Sequence, residues 1–494
     1  MSTPRRGRPP GRLVDPTPSD GAAFHGEVRI GWLLRSWRLA AAPETSARSF
    51  ATVLIGLGRS ADASRVSRWE TGQLPAPLDV IGGYEQALGV AEGSLAALAV
   101  STRRLPETVD EQLIGLPTHR FSVPDLEHAL DTVVDGSPTG ADWFRFAVLV
   151  ASRPDQVTLA MSTWRSLTTA LVKQIGLSIA NAYITRVEAA ILLMHHPRAK
   201  RALVQAIGAY VMRPDSLLVV DLLALLTEMA DPPASDLVLR LLEQQPPGPV
   251  LNGAVWAASS KVTRRQFSGD ELDRLERAVA RLVLREGVEA GGLFHRLADL
   301  VAVLPGPARD RLGTAGESGR GLPRPDPQSA QRWALSQVGT VCEALTQPDE
   351  YVDDPLLERL VEEAVFHSNA ERRFQAALTM AFSPHRERLA SACAGLVEQH
   401  LDGTRVLEPL LAERVMLLLT FFGTEHQRAL VHRVIRDGPA NLLGSALLSA
   451  AHLPPTADRH AVAEPPAATG RPDLTPIITA RIPTWPSRQC TAPG

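Results

Sequence analysis

The chain has 494 residues, of which 45% are hydrophobic and 5% aromatic, and its formal net charge is −3. Because this length exceeds what one hydrophobic core usually organises, we expect two or three domains. The near-neutral total excludes a protein that coats a polyanion along its whole length. The charge is uneven, however: residues 1–105 hold 13 Arg, no Lys and 9 acidic residues, a net +4, and the remainder carries −7. A polyanionic partner is therefore expected at the N-terminal end.

The cysteines and the apolar segments bear on the compartment. Cys342, Cys393 and Cys490 are too widely spaced for a disulfide framework or a zinc site, which favours a reducing cytoplasm. No apolar run follows the N-terminal arginines as in a signal peptide, and none reaches the ~18 residues of a membrane span. We therefore expect a cytoplasmic protein with no membrane partner.

Residues 1–26 are rich in Pro, Gly and Arg, a composition typical of a disordered basic tail. Within it, Arg6-Gly7-Arg8-Pro9 resembles the core of an AT-hook. That resemblance implies that Arg6 and Arg8 enter the minor groove of A·T-rich DNA, where the negative potential is greatest. The alternative is a soluble basic tail that touches phosphates without sequence preference.

Residues 27–100 are predicted to form five short helices, because their apolar residues recur at three-and-four spacing. Ser46 is placed to cap the second helix, Asp62 the third and Ser94 the fifth. The predicted apolar faces contain Ile30, Leu33, Leu34, Trp37, Phe50, Ala51, Leu54, Val66, Trp69, Leu78, Ile81, Tyr84 and Leu88.

The third of these helices has an apolar back and a polar front. Val66 and Trp69 are three residues apart and share one face, whereas Arg65 and Arg68 share another. Gly72 ends the helix where a left-handed residue is usually needed. Five short helices with a small exposed third helix are the plan of a helix-turn-helix DNA-binding domain.

The motif Arg68-Trp69-Glu70-Thr71-Gly72, followed by Pro75, Pro77 and the run from Tyr84 to Val90, resembles the XRE family, whose members carry a Cro/phage-repressor-type helix-turn-helix. The resemblance covers residues 27–100. One departure is that the spacing from Ala51 to Trp69 is several residues longer than the family's usual spacing. We therefore expect residues 55–61 to form an extended loop rather than a tight turn.

The resemblance implies which side chains meet DNA. Ala63, Ser64 and Arg68 would face base edges, and Arg68 could donate two hydrogen bonds to a guanine. The residues expected at phosphates, which fix register rather than sequence, are Arg48, Arg59, Arg65 and Ser67. The alternative for these arginines is an ordinary solvated helix face.

The rest of the chain is predicted to be helical. Residues 101–122 are interpreted as a connector, 123–303 as a helical domain, 304–328 as a linker, 329–453 as a helical repeat-like domain and 454–494 as a disordered tail. In 123–303 the predicted breaks fall at 135–138, 153–154, 196–197, 213–214, 231–233 and 245–248. In 329–453 the breaks at 381–385 and 421–425 lie 40 residues apart. That spacing resembles HEAT-type α-solenoid repeats. The alternatives are an irregular helical bundle and a tetratricopeptide-like array.

The sequence shows no catalytic or metal-binding motif. There is no glycine-rich phosphate loop and no zinc-binding helix, and the adjacent His195 and His196 would diverge on a helix. The acidic pairs 353–354 and 362–363 are interpreted as helix caps and solvated faces. We expect no enzyme, no cofactor and no metal.

Together these features favour an all-α, sequence-specific DNA-binding transcriptional regulator. The expected partner is double-stranded DNA read by a helix at about 63–71. The helical C-terminal region would form a homodimer or bind a peptide, protein or small-molecule effector. One alternative is a helical-repeat interaction scaffold whose N-terminal unit does not read DNA specifically. Another is an enzyme with a DNA-binding appendage, which would need a polar pocket holding a titratable group of perturbed pKa.

Overall fold

The computed structural model describes residues 13–18, 24–42, 45–104, 122–216, 219–246, 248–286, 297, 300–306, 308, 354–367 and 370–453. Every regular element in these ranges is a helix, so the fold is all-α, as predicted. None of the described helices combines the length and the apolar character that crossing a membrane requires. Arg6 and Arg8, most of the 101–122 connector, most of the 304–328 linker and the 454–494 tail lie outside the described residues.

The chain divides into two compact units that do not follow its linear order. Unit 1 comprises Met1–Pro117, Ile179–Asn181 and Pro327–Gly494, and unit 2 comprises Thr118–Ser178 and Ala182–Asp326. The N-terminal five helices therefore share a unit with the C-terminal helices, although more than 200 residues separate them along the chain.

The N-terminal part of unit 1 contains α1 (Gly26–Ala41), α2 (Ala47–Gly56), α3 (Ala63–Glu70), α4 (Leu78–Leu88) and α5 (Ser94–Arg104). Two predicted caps are confirmed: Ser46 accepts a hydrogen bond from the Ser49 amide, and Asp62 accepts one from the Arg65 amide. The predicted core of these helices is buried except for Trp37 and Leu88, which are half-buried. Leu34, Leu54, Val66, Ile81 and Tyr84 are all at 0% exposure.

The predicted cap of the fifth helix is wrong. Ser94 is the first residue of α5, and its hydroxyl is buried without a hydrogen-bond partner. Glu85 of α4 caps the helix instead, because its carboxylate accepts hydrogen bonds from the amides of Gly93 (2.7 Å), Leu95 (2.6 Å) and Ala96 (3.0 Å). A carboxylate on the preceding helix thus replaces the predicted serine as the acceptor for the free amides of the first turn.

The C-terminal part of unit 1 contains α15 (Pro355–Phe366), α16 (Ala370–Ala381), α17 (Arg386–Leu401), α18 (Pro409–Phe422), α19 (Arg428–Asp437) and α20 (Ala440–His452). A single-turn 3₁₀ helix, Glu425–Gln427, precedes α19. The helices pack as successive pairs, α15 with α16, α17 with α18 and α19 with α20, and α18 contacts both α16 and α20.

Unit 2 contains α6 (Val123–Asp135), α7 (Gly140–Ser152), α8 (Met161–Gly176), α9 (Ala180–Leu193) from Ala182 onward, α10 (Pro197–Val211), α11 (Val219–Ala224), α12 (Pro232–Gln244), α13 (Pro249–Thr263) and α14 (Gly269–Glu286). A 3₁₀ helix, Leu225–Glu228, follows α11. Each predicted break coincides with a helix boundary. His196 is structural, because it caps α10 and hydrogen-bonds to the Val157 carbonyl at 2.9 Å.

Candidate nucleic-acid interface

The outer surface of α3 is polar and exposed. Ser64, Arg65, Ser67 and Arg68, which we call the α3 front, are all exposed, whereas Val66, Trp69 and Glu70 are buried on the opposite side. Ala63 lies at the rim and is half-buried. Two hydroxyls and two guanidinium groups on one helix of eight residues can hydrogen-bond to acceptors in a groove and to phosphate oxygens.

The two arginines of the α3 front differ in how they are held. Arg65 donates to the Ser60 hydroxyl at 3.0 Å and lies 3.5 Å from the Asp62 carboxylate, so it is directed towards the start of α3. The described part of the chain offers no hydrogen bond or ion pair to the Arg68 guanidinium. Arg68 therefore keeps all its donors available to a ligand.

The neighbouring surface of α2 adds one more cation that has no partner among the described residues. Arg48 is exposed in the first turn of α2, and no side chain in the described ranges pairs with its guanidinium. Thr52 lies one turn further along the helix and is also exposed. Val53 and Ile55 are exposed as well, at 46% and 56%. The surface beside the α3 front is therefore mixed, cationic at the start of α2 and apolar at its end.

The connection between α2 and α3 is a loop of six residues, 57–62, so the expected extended loop is confirmed, although Ile55 and Gly56 still belong to α2. Gly58 turns the chain with a φ of 75°, and the Arg59 amide closes the turn on the Leu54 carbonyl at 2.9 Å. The Arg59 side chain is half-buried with its Nε enclosed and unpaired. The Arg59 guanidinium is therefore less accessible to a phosphate than that of Arg48.

A buried ion pair fixes the end of α3. Arg38 of α1 donates two hydrogen bonds of 2.6 Å to the Glu70 carboxylate and a third to the Thr45 carbonyl, and the Tyr84 hydroxyl donates to Glu70 at 3.1 Å. Burial alone would lower the pKa of Arg38, but the hydrogen bonds and charge of Glu70 outweigh it, so the pKa is raised. Burial raises the pKa of Tyr84, and the Glu70 carboxylate raises it further. Arg38 is therefore charged and Tyr84 neutral at any ordinary pH.

Two glycines bring the backbones of α1 and α3 together. A Cβ on Gly31 would lie 2.5 Å from the Trp69 carbonyl oxygen, and a Cβ on Gly72 would lie 2.5 Å from the Val28 Cα. Gly72 also has a φ of 68°, the left-handed conformation expected after α3. The orientation of the α3 front thus depends directly on α1.

The interpretation of residues 362–363 as a solvated acidic face is wrong for Glu363. Its side chain is fully buried, and it forms ion pairs with Arg29 of α1 and with Arg372 of α16. Glu362 is half-buried and pairs with Arg359 on its own helix. Asp354 caps α15 as predicted, but it also accepts a hydrogen bond from Trp32 of α1. Sequence alone could not find the contacts with α1, because Arg29 and Trp32 lie more than 300 residues from their partners.

Comparisons with known proteins identify no relative of this chain. No family model, no curated protein and no solved structure matches the chain.

Proposed function

We propose that this protein is a sequence-specific DNA-binding transcriptional regulator that reads the major groove with α3. The helices α2 and α3 would act as a helix-turn-helix with a lengthened turn, inside a DNA reader formed by α1–α5. The observation that carries the proposal is the α3 front. There Arg68, which has no partner in the described part of the chain, lies beside exposed hydroxyls on a helix that a buried ion pair holds from behind.

The roles within the site follow from exposure and pairing. Arg68 suits bidentate contact with guanine, Ser64 suits a single hydrogen bond to a base edge, and Ala63 suits a thymine methyl group. Arg48, Arg65 and Ser67 suit phosphates. Arg59 would reach a phosphate only by leaving its half-buried position.

The C-terminal helices supply the second element of the proposal. Their successive pairs, α15–α16, α17–α18 and α19–α20, are consistent with an α-solenoid-like array whose surface takes a partner or effector. A single reader buries little surface on DNA, so we propose that the protein acts as a dimer on two half-sites.

The test is selection of the full-length protein on a random duplex library, followed by titration of the selected sequence with purified variants. Arg68→Ala should weaken binding by about 1–3 kcal/mol and relax the preference at one base pair. Arg165→Ala is the matched control, because Arg165 is an exposed helical arginine of unit 2 without an ion pair among the described residues. Failure to enrich any sequence, or equal effects of the two substitutions, would contradict the proposal and favour an interaction scaffold.

A further inference from the structure

The helix α1 has two opposite faces that carry two different parts of unit 1. Val28, Gly31 and Arg38 lie on the face that contacts the end of α3. Arg29 and Trp37 lie on the opposite side of the helix, and Trp32, one turn after Val28, lies between the two sides. These three side chains are hydrogen-bonded to the C-terminal helices.

The strongest of these connections is a buried ion cluster formed by Asp15, Arg29, Glu363 and Arg372. Arg29 is fully buried, donates to Asp15 at 2.8 Å and pairs with Glu363, which Arg372 contacts at 2.5 Å. The Phe24 ring lies against both guanidinium groups, at 4.6 Å and 5.3 Å from their central carbons. Burial acts to raise the pKa of Asp15, but the charge of Arg29 and the hydrogen bonds from Thr17 and Arg29 together outweigh it, so the pKa of Asp15 is lowered. Such a cluster holds its members in one geometry, because an unpaired charge in it would be costly.

Three directional hydrogen bonds add to the cluster. Trp32 donates its indole N–H to Asp354 at 2.8 Å, and its ring lies 6.1 Å from that of His385. Trp37 donates to the Phe382 carbonyl, in the turn after α16, at 2.7 Å. Gln375 of α16 donates to the Ser101 hydroxyl of α5 at 2.8 Å. The α3 front nevertheless stays exposed, so the C-terminal helices support the reader without covering its contact surface.

We infer that α15, α16 and the turn after them belong to the DNA-reading apparatus, with Asp354, Glu363 and Phe382 as positioning residues that orient α3 through α1. The chain of contacts is continuous, from Glu363 to Arg29, along α1 to Arg38 and Gly31, and from there to Glu70 at the end of α3. Displacement of α15 would move α1. Because the backbones of α1 and α3 touch at Gly31 and Gly72, a shift of α1 would move α3 as well.

The test uses the full-length protein and two readouts, of which only the second rests on the proposed function. The first is hydrogen exchange of peptides from α1 and α3 without DNA. The second is the ratio of affinities for the selected duplex and for a scrambled one. Glu363→Gln should speed exchange in α3 by on the order of tenfold or more and lower the affinity ratio. The matched control is Glu362→Gln, the adjacent half-exposed glutamate, which should change neither.

A second variant covers the case in which Glu363→Gln unfolds unit 1. Trp37→Phe removes the hydrogen bond to the Phe382 carbonyl and replaces the indole with a smaller aromatic ring, while leaving the buried ion cluster intact, so it should show the same effects at smaller size. Unchanged α3 exchange in Trp37→Phe, or equal acceleration of α3 and α20, would overturn the inference. If the wild-type protein prefers no duplex, the proposed function fails, and the exchange measurement still decides the positioning role.

Discussion

At the scale of single residues, Arg48 and Arg68 are both exposed and both unpaired among the described side chains, yet they should act differently on DNA. Arg48→Ala should weaken binding to all duplexes alike and reduce the slope of log affinity against log salt by about 1, because it removes one phosphate contact. The measurement is a salt titration on the selected and scrambled duplexes. A loss confined to the selected duplex would instead make Arg48 a base-reading residue.

A second residue-scale prediction concerns the Arg38–Glu70 pair. Glu70→Gln leaves the Arg38 charge buried without its carboxylate, and breaking a buried pair in this way costs about 3–5 kcal/mol. The free energy of opening α3, measured by native-state hydrogen exchange, should fall by roughly that amount. Glu92→Gln is the control, since Glu92 is exposed. A change below about 1 kcal/mol would mean that the glycine contacts suffice to hold α3.

Among single residues, the exposed side chains of α3 were predictable from the sequence, whereas two buried acids were not. The polar front of α3 and its apolar back were predictable, because helical periodicity alone separates Arg68 from Trp69. The buried acids Glu85 and Glu363 were not, because a carboxylate in a sequence is by default a solvated group. Their carboxylates accept hydrogen bonds from donors on other helices or at their starts, three amides for Glu85 and two guanidinium groups for Glu363, and the sequence pattern around each acid does not indicate these donors.

At the scale of elements, two left-handed glycines separate conformational strain from steric contact. Gly72 and Gly89 have nearly equal φ values, 68° and 67°, but only Gly72 faces another backbone. Gly89→Ala should cost about 1–2 kcal/mol from backbone strain alone. Gly72→Ala should cost clearly more, because the new Cβ meets Val28 and pushes α1 away from α3. Urea unfolding of the two variants measures the difference, and equal costs would contradict the proposed backbone contact.

The cap of α5 leads to a pH dependence. Burial raises the pKa of Glu85 to about 7, although its amide hydrogen bonds act to lower it. The folded protein therefore binds a proton more tightly at Glu85 than the unfolded chain does, whose value is 4.5. The contribution to stability is fully present below about pH 4.5 and is lost as pH rises to about 7, by up to about 3 kcal/mol.

Urea titrations of unit 1 between pH 4.5 and pH 7 measure this contribution. In Glu85→Gln the free energy of unfolding should fall less between pH 4.5 and pH 7, by up to about 3 kcal/mol, because the glutamine side chain does not titrate. An identical pH profile in the two proteins would show that the helix terminus keeps Glu85 ionised throughout.

Several helix boundaries were predictable because proline marked them. Pro197, Pro232 and Pro249 each begin a helix, since proline lacks the amide proton that a first turn cannot use. The boundaries at 177–179 and 264–268, where no proline stands, were missed, and so were those at Pro409 and Pro439.

At the scale of the whole molecule, the composition of unit 1 could not be predicted from the sequence. Composition and predicted linkers divide a chain only in sequence order, so they place residues 27–100 and 329–453 in separate domains. Ion pairs such as Arg29–Glu363 join these two parts, and nothing in the local pattern of either residue indicates its partner.

This arrangement predicts which helices DNA binding stabilises against opening. A ligand that binds only the folded state at 100 times its dissociation constant adds about 2.7 kcal/mol to every opening that also abolishes the binding site. If α1–α5 unfold together with α15–α20, the selected duplex should slow the slowest-exchanging amides of α18 and α20 by that amount, although neither helix contributes to the α3 front. The amides of α12 and α13 in unit 2 are the internal control. Protection confined to α1–α5 would show that the two parts of unit 1 unfold separately, because the bound state would then stabilise the reader alone.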